Sequence, residues 1–356
     1  MSKWVGWITL LMVLVSAWLW GQETGQTSGP WVVERSGTTA ALRGIHAVGG
    51  GVAWASGTNG TVLRTEDGGY EWQSCAAPPD SAKLDFRGIW AWDDQTAIVM
   101  ASGTGDASRL YKTTEGCSHW TLLFTNPDKD GFWDALQCAD KHSCTLVGDP
   151  VNGAFVVFQT MDGGKIWNRE TGGSLSAEAT KQGVFAASNS SLAMNHGNGF
   201  RLLGTGGMAG SKLLFSCGPC RSSSWRVWPV PIFAAGVSAG IFSLGVRPAG
   251  FVEPFVIAVG GDYNKPNDSA GTAAWSSDGG QHWTAAAKPP HGYRSAVAWD
   301  AAAKAWIAAG TNGSDISYDD GKTWQPLDNG NWNALSLPWV VGPGGRIAKR
   351  KAASPV

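Results

Sequence analysis

Four copies of one short motif decide the fold of this chain: TEDGGYEW at 65–72, TMDGGKIW at 160–167, SSDGGQHW at 276–283 and SYDDGKTW at 317–324. In each copy an Asp side chain can accept hydrogen bonds from the N–H groups of a turn, and the last Gly can adopt positive φ without strain. The closing Trp offers a large apolar ring to a neighbouring unit. The motif therefore predicts a structural β-hairpin turn. The residues with these roles are Asp67, Trp72, Asp162, Trp167, Asp278, Trp283, Asp319 and Trp324.

The sequence around each motif predicts a β-propeller. Three short apolar runs precede the motif and a fourth begins at its Trp, which is typical of a four-stranded blade. Degenerate copies end at Trp120 and Trp225, and the segment 333–350 supplies three further strands. Its missing fourth strand is WVVERS at 31–36. We therefore predict an all-β, seven-bladed propeller over residues 31–350, closed by the N-terminal strand joining the C-terminal blade.

The N-terminus predicts export. Residues 1–22 have one early cation, Lys3, and then an uncharged apolar run, which is the layout of a secretory signal peptide. The run is nearly long enough to span a bilayer, so an uncleaved N-terminal anchor stays open as an alternative. Residues 23–30 are predicted to be a flexible linker, and residues 351–356 a solvated tail. We expect a periplasmic or extracellular protein.

Six cysteines agree with export, because disulfides persist in oxidising compartments. Cys138 and Cys144 flank one short segment and Cys217 and Cys220 another, which leaves Cys75 and Cys117 to pair between neighbouring repeats. A C-x-x-C pair is also half of a zinc site, but no second half-site has ligand spacing. We expect no metal site and no cofactor. The formal net charge of -1 gives no reason to expect a nucleic-acid partner.

The motifs also carry a family resemblance. They are identified as Asp-boxes, or BNR repeats, which are known from bacterial sialidases and other exported propellers. The wider repeat, with GTNGTVLRTEDGG at 57–69 and GGRIAKR at 344–350, resembles the photosystem II assembly and stability factor family of cyanobacteria and plants. The resemblance covers about residues 31–350. It implies a non-enzymatic, seven-bladed propeller that binds an assembly intermediate of a membrane protein.

Propeller geometry divides the polar residues between two faces. Loops that enter the first strand and loops that join the second and third strands share one face around the channel, here called the channel face. The Asp-box turns join the third and fourth strands and lie on the opposite face, the turn face. The predicted ligand-binding residues of the channel face are Arg43, Arg87, Arg294, Asp262, Asp315 and Asn333, and the candidate catalytic residues are Asp134, Asp149 and Tyr263.

These residues allow two functions. We favour an exported, monomeric binding or scaffold protein that assists the assembly or stability of a protein complex, such as a membrane-protein complex, through its channel face. The alternative is a glycoside hydrolase, sialidase-like or another exo-glycosidase, which would bind a carbohydrate with three arginines and use a carboxyl pair as acid and base. Sialidases are six-bladed, however, and no glutamate stands in a channel-facing segment. A polar, hydrated channel whose groups pair with one another is the third interpretation.

Overall fold

The fold is a ring of seven blades. The computed structural model describes residues 1, 29–178, 180–194, 199–217, 225–249 and 252–351. The strands in these ranges form seven antiparallel sheets of four strands each. The first strands of neighbouring blades contact one another all the way around the ring and so line its axis. The predicted all-β, seven-bladed propeller is confirmed.

The strand bounds follow the chain. The first strand, β1 (Trp31–Glu34), belongs to blade seven. Blade one has β2 (Leu42–Gly49), β3 (Val52–Gly57), β4 (Val62–Thr65) and β5 (Gln73–Ser74). Blade two has β6 (Phe86–Ala91), β7 (Ala97–Ala101), β8 (Arg109–Thr113) and β9 (Thr121–Thr125). Blade three has β10 (Trp133–Cys138), β11 (Cys144–Val151), β12 (Ala154–Thr160) and β13 (Asn168–Arg169).

The second half of the ring has the same order. Blade four has β14 (Leu192–Met194), β15 (Arg201–Thr205), β16 (Lys212–Ser216) and β17 (Trp225–Pro229). Blade five has β18 (Ala239–Ala249), β19 (Val252–Asp262), β20 (Ala273–Ser276) and β21 (Thr284–Ala285). Blade six has β22 (Ala296–Asp300), β23 (Ala305–Gly310), β24 (Gly313–Ser317) and β25 (Gln325–Asp328). Blade seven has β26 (Ala334–Ser336), β27 (Trp339–Val341) and β28 (Ile347–Arg350) in addition to β1. Two short 3-10 turns lie at Gly105–Ala107 and Gly173–Leu175.

The two ends of the chain close the ring in blade seven. Strand β1 pairs with β28 in antiparallel register, from Trp31 opposite Arg350 to Glu34 opposite Ile347. The indole N–H of Trp31 donates to the Ser314 hydroxyl at 3.0 Å, which ties the closing strand to blade six. The predicted closure is confirmed, and it leaves no open edge between the first and last blades.

Tryptophan rings fill the space between adjacent blades. Trp54 of blade one meets Trp120 of blade two edge to face, with ring centroids 6.1 Å apart. Trp72 meets Trp339 of blade seven in the same way, at 6.1 Å. All four rings are buried. Large rings suit these positions because each blade must bury one face of its sheet against the next.

The four repeated turns share one hydrogen-bond pattern. In the first, the Thr65 hydroxyl donates to Asp67 Oδ1 at 2.9 Å and accepts from the Gly69 N–H at 2.9 Å. The Glu71 N–H also donates to Asp67 Oδ1, at 3.1 Å. Equivalent bonds surround Asp162, Asp278 and Asp319. Positive φ is found, as predicted, at Gly69, Gly164, Gly280 and Gly321.

The described disulfides match the predicted pairs. Cys75 and Cys117 join blade one to the degenerate turn of blade two, and Cys138 and Cys144 close the β10–β11 hairpin. Cys217 is disulfide-bonded, and Cys220, its predicted partner, lies outside the described residues.

The segments that flank the propeller are mostly outside the described residues. These are the predicted signal peptide or anchor, most of the linker, and residues 352–356 of the tail. Among the residues that are described, no helix is long and apolar enough to cross a membrane.

Candidate functional site

A cavity of about 770 Å³ lies at the centre of the ring, at the channel face. Every blade contributes to its wall. One such residue from each blade, in order, is Arg43, Arg87, Asp134, Gly207, Phe242, Thr311 and Asn333. The volume is within the range of ligand-binding sites, and the wall combines aromatic rings with a few charged groups, as such sites do.

Six of the nine predicted site residues line this cavity. They are Arg43, Arg87, Asp134, Asp149, Tyr263 and Asn333. Asn333 has a structural contact as well, because its side-chain amide donates to the Leu42 carbonyl oxygen at 2.7 Å. Their convergence follows from the repeat, since equivalent loops of a closed ring all point to one axis.

Arg294 and Asp315 lie elsewhere, in a buried ion pair. Both side chains are fully buried, and Arg294 Nε donates to Asp315 Oδ2 at 2.6 Å. The imidazole Nδ1 of His291 lies 2.9 Å from Asp315 Oδ1, and Arg294 Nη1 donates to Asn312 Oδ1 at 2.5 Å. Burial lowers the pKa of Arg294, with the charge of Asp315 acting in the opposite direction. The structure thus corrects the prediction that these two residues face a ligand, because their polar atoms are enclosed and already bonded.

Asp262 is also outside the cavity wall. Its Oδ1 accepts the Asn264 N–H at 3.0 Å, which is the geometry of an Asx turn in the β19–β20 loop. Of the nine predicted site residues, Asp262, Arg294 and Asp315 thus do not line the cavity.

Arg43 and Arg87 form a cationic cluster around a carboxylate that the sequence did not identify. Arg87 Nε donates to Asp85 Oδ2 at 2.8 Å, and Arg43 Nε lies 3.2 Å from Asp85 Oδ1. The two arginine side chains remain 32% and 29% exposed, so a ligand can reach them. Burial lowers the pKa of Arg43. The charge of Asp85 acts to raise this pKa, and the charge of Arg87 acts to lower it. Two guanidinium groups and one carboxylate leave one net positive charge, which suits a carboxylate ligand.

Asp134 and Asp149 form an acidic pair in another part of the wall. Burial raises the pKa of Asp149 to about 6, although its Oδ1 accepts the Val184 N–H at 3.0 Å. Asp134 is 1% exposed. Burial, and then the charge of Asp149, raises the pKa of Asp134 well above its ordinary value, while Arg87 acts in the opposite direction. The pair therefore binds protons more tightly than ordinary aspartates.

Part of the cavity wall is formed by a segment that is not among the nine predicted site residues. Residues 184–190, here called the strap, precede blade four and reach across the channel. The Ser188 hydroxyl donates to the Ser295 carbonyl oxygen of blade six at 2.6 Å. The Asn189 side chain accepts from the Leu136 N–H at 2.7 Å and donates to the Leu136 carbonyl oxygen at 2.9 Å, in blade three. Trp167 and Trp225 are 58 residues apart, compared with 41 for Trp283 and Trp324, so the sequence indicates an insertion in this repeat without showing where it lies.

Aromatic rings connect the strap to the rim. Phe185 stacks on Phe242 with centroids 3.9 Å apart, and Tyr293 and Tyr263 meet Phe242 edge to face at 4.7 and 6.1 Å. Tyr293 is buried, whereas Tyr263 is 50% exposed. The rings form one aromatic wall that begins at Phe185, the residue after the Asp149 donor Val184, and ends at the exposed Tyr263.

Seven four-stranded blades, closed by the N-terminal strand around a central cavity, define a seven-bladed β-propeller with a central site. No protein-family model matches the chain. In sequence it is 23% identical over 336 residues to the photosystem II assembly lipoprotein Ycf48 of Synechococcus sp. (strain CC9902), covering 89% of this chain and 86% of that protein. The chain is thus similar to a photosystem II assembly factor, and the predicted family resemblance is confirmed.

Two solved structures show the same fold. Ycf48 from Cyanidioschyzon merolae superposes with a TM-score of 0.61 at 18% identity, covering 90% of this chain and 98% of that one. A structure of Ycf48 bound to D1 peptide gives a TM-score of 0.60 at 17% identity, covering 90% and 96%.

Proposed function

We propose that this chain is an exported binding propeller that assists the assembly or stability of a membrane-protein complex by holding a polypeptide segment of its partner in the central cavity. The observation that carries the proposal is the cavity itself, into which all seven blades bring side chains and where cationic, acidic and aromatic groups lie together. Similarity to Ycf48, which has been solved bound to D1 peptide, supports a protein partner.

The cavity groups suit an extended polypeptide. Arg43 and Arg87 offer guanidinium N–H groups to a carboxylate, from an acidic side chain or a chain terminus. The aromatic wall formed by Phe242 and Tyr263 offers apolar surface to side chains. A segment that enters this cavity would exchange water for both kinds of contact, which is how hot spots at interfaces gain affinity.

The disulfides and the N-terminal sequence support export. The two described disulfides fit an oxidising compartment, and a signal-like N-terminal run precedes the propeller in the sequence. We propose a location outside the cytoplasm, in the periplasm or a comparable compartment.

Site-specific photo-crosslinking tests the proposal. A photoreactive phenylalanine would replace Val237, which lines the cavity, or Met208, which follows the lining residue Gly207; these rim positions are 70% and 55% exposed. Tyr70 and Met161 on the turn face, 94% and 72% exposed, are the matched controls. In cells that produce the full chain, we expect the rim positions to crosslink to one defined segment of an integral membrane protein and the turn-face positions to give no such product. Equal crosslinking from both faces, or none from the rim, would contradict the proposal.

A glycoside hydrolase is the second candidate. The observation in its favour is the acidic pair, because two carboxyl groups with raised pKa values in a cavity resemble an acid and base pair. The burial of Arg294 counts against the sialidase-like version, which needs three accessible arginines. Assays with a panel of aryl glycosides decide the matter: hydrolysis abolished by both Asp134→Asn and Asp149→Asn would establish the enzyme, whereas hydrolysis that neither variant changes, or no hydrolysis, would reject it.

A further inference from the structure

The acidic pair contains a carboxylate oxygen with no partner. Asp134 Oδ2 is buried, and the backbone hydrogen bonds that the Asp134 carboxyl group receives from Asp149 and Ala186 leave this oxygen without a donor among the residues that the structure describes. Its residue is 1% exposed and forms part of the cavity wall. A buried polar atom without a partner is costly and needs an explanation, such as a group that binds there. Asp149 lies in the same wall, and its Oδ1 has one described donor, the Val184 N–H.

Two cationic side chains of the cavity wall, Arg87 and Lys181, have their described hydrogen-bond and ion-pair partners outside the acidic pair. Arg87 acts on the charge of Asp134, but its Nε donates to Asp85 and its Nη1 donates to the Ala186 carbonyl oxygen at 3.4 Å. Lys181 also lines the cavity, and its Nζ lies 2.9 Å from Glu178 Oε1. Asp130 adds a further negative charge to the wall. The acidic pair thus has no described cation in hydrogen-bond contact, although the charge of Arg87 acts on Asp134, and the pKa of both carboxyl groups is raised.

The surroundings favour a cation on a long apolar stem. Phe185 follows Val184 in the strap and stacks on Phe242, which in turn meets Tyr263 at the rim. This apolar wall would pack along the methylene groups of a Lys or Arg side chain whose charged end reaches the carboxyl groups. Arg is the better fit, since its planar guanidinium donates to two acceptors at once and stacks on aromatic rings.

We infer that Asp134 and Asp149 form a subsite for a cationic side chain, arginine or lysine, of the partner segment. The inference rests on the proposed function and adds the chemistry of one partner residue. The cation supplies the donor that Asp134 Oδ2 lacks and the charge that two buried carboxylates need in order to ionise together. Together with the cluster of Arg43 and Arg87, the subsite would orient a segment that carries charges of both signs.

The test compares two small probes that differ in charge. Nα-acetyl-arginine methylamide is cationic, and the citrulline analogue has nearly the same shape without the charge. Binding to the full chain at pH 7.5 would be followed by NMR titration. We expect the arginine probe to bind at least about tenfold more tightly, since opposite charges meet in a partly dry site. Asp134→Asn and Asp149→Asn should each remove the difference between the probes. Asp268→Asn, an exposed carboxylate of the β19–β20 loop outside the cavity wall, should leave it unchanged.

The pH dependence adds a second readout. Because Asp149 has a pKa of about 6, its ionised fraction falls about tenfold between pH 7.5 and pH 5, and the affinity for the arginine probe should fall with it. Equal affinity for arginine and citrulline, or unchanged discrimination in both Asn variants, would overturn the inference. Rim crosslinks to a partner without discrimination between the probes would refute the subsite and leave the proposed function standing. Discrimination between the probes without rim crosslinks would refute the proposed function alone.

Discussion

The aspartates of the turn face and those of the cavity wall have opposite electrostatic surroundings. On the turn face, the hydrogen bond from the Glu71 N–H is the largest of the effects that lower the pKa of Asp67. Burial alone would raise the pKa of Asp278, but hydrogen bonds from the backbone and side chain of His282 outweigh it and lower the pKa. In the cavity wall, burial raises the pKa of Asp134 and Asp149, and the bonds they receive do not compensate.

The difference distinguishes structural carboxylates from candidate binding carboxylates. A turn aspartate accepts hydrogen bonds from its own eight-residue motif, and these bonds stabilise the blade. The cavity aspartates also accept backbone hydrogen bonds, but these bonds do not offset the cost of their burial. The aspartates of the repeated motif therefore stabilise the blades. The proposed binding residues, Asp134 and Asp149, lie outside this motif.

The largest effect is expected for a substitution of Arg294, because its charge is fully buried and paired with Asp315. We predict that Arg294→Ala lowers the free energy of unfolding by about 3–5 kcal/mol, since Asp315 then stays buried without its arginine partner. Urea unfolding at pH 7.5 measures the effect. Arg109→Ala is the control, because its pair with Asp106 is partly exposed and should contribute less than about 1 kcal/mol. A loss in Arg294→Ala no larger than in the control would show that the buried pair is not structural.

Asp149→Asn should have a smaller effect of the opposite sign. The folded-state pKa is raised to about 6, so the native state binds more protons than the unfolded state and its stability falls as pH rises from about 4 to 6. A shift of this size corresponds to at most about 3 kcal/mol, and residual solvent contact reduces it. We expect the variant to be more stable than the wild type by about 1–2 kcal/mol at pH 7.5 and equally stable at pH 4. Destabilisation at pH 7.5 would contradict the raised pKa of Asp149.

Asp278→Ala should have the smallest effect. The variant loses the hydrogen bonds from the Ser276 hydroxyl at 2.8 Å and the His282 N–H at 3.0 Å, and we expect a loss of about 1 kcal/mol at pH 7. Since the folded-state pKa of Asp278 is lowered, its contribution is present above the unfolded-state pKa and disappears as pH falls through the folded-state value. Unfolding experiments at pH 7 and pH 2.5 check this dependence. A loss that grows on acidification would be inconsistent with it.

The repeat explains how much could be predicted from the sequence. The seven blades and the closing strand at Trp31 follow from comparing one repeat with the next, and the pairing of Cys75 with Cys117 follows because the other four cysteines lie close together in two pairs. The same comparison placed Arg294 beside Arg43 and Arg87, because all three stand at equivalent positions near a first strand. It could not show that His291 and Asn312 enclose Arg294, since those contacts belong to one blade only.

The position of the strap could not be predicted from the sequence either. Residues 184–190 have no counterpart in the other repeats, so no alignment within the chain could place Asn189 between blades. The Asn189 side chain satisfies backbone groups of blade three, and its φ of 64° is a conformation that Asn tolerates better than most residues. Insertions are defined by such tertiary contacts, which local sequence does not determine.

The most direct test of the account is an NMR titration of the side-chain carboxyl carbons in the folded protein. It compares Asp149 of the cavity wall with Asp278 of the turn face in one sample. We predict that Asp149 titrates with a pKa of about 6 and that the pKa of Asp278 lies below the ordinary value of an aspartate. If both titrate together near the value of an exposed aspartate, about 3.9, the proposed contrast between structural and binding carboxylates is wrong.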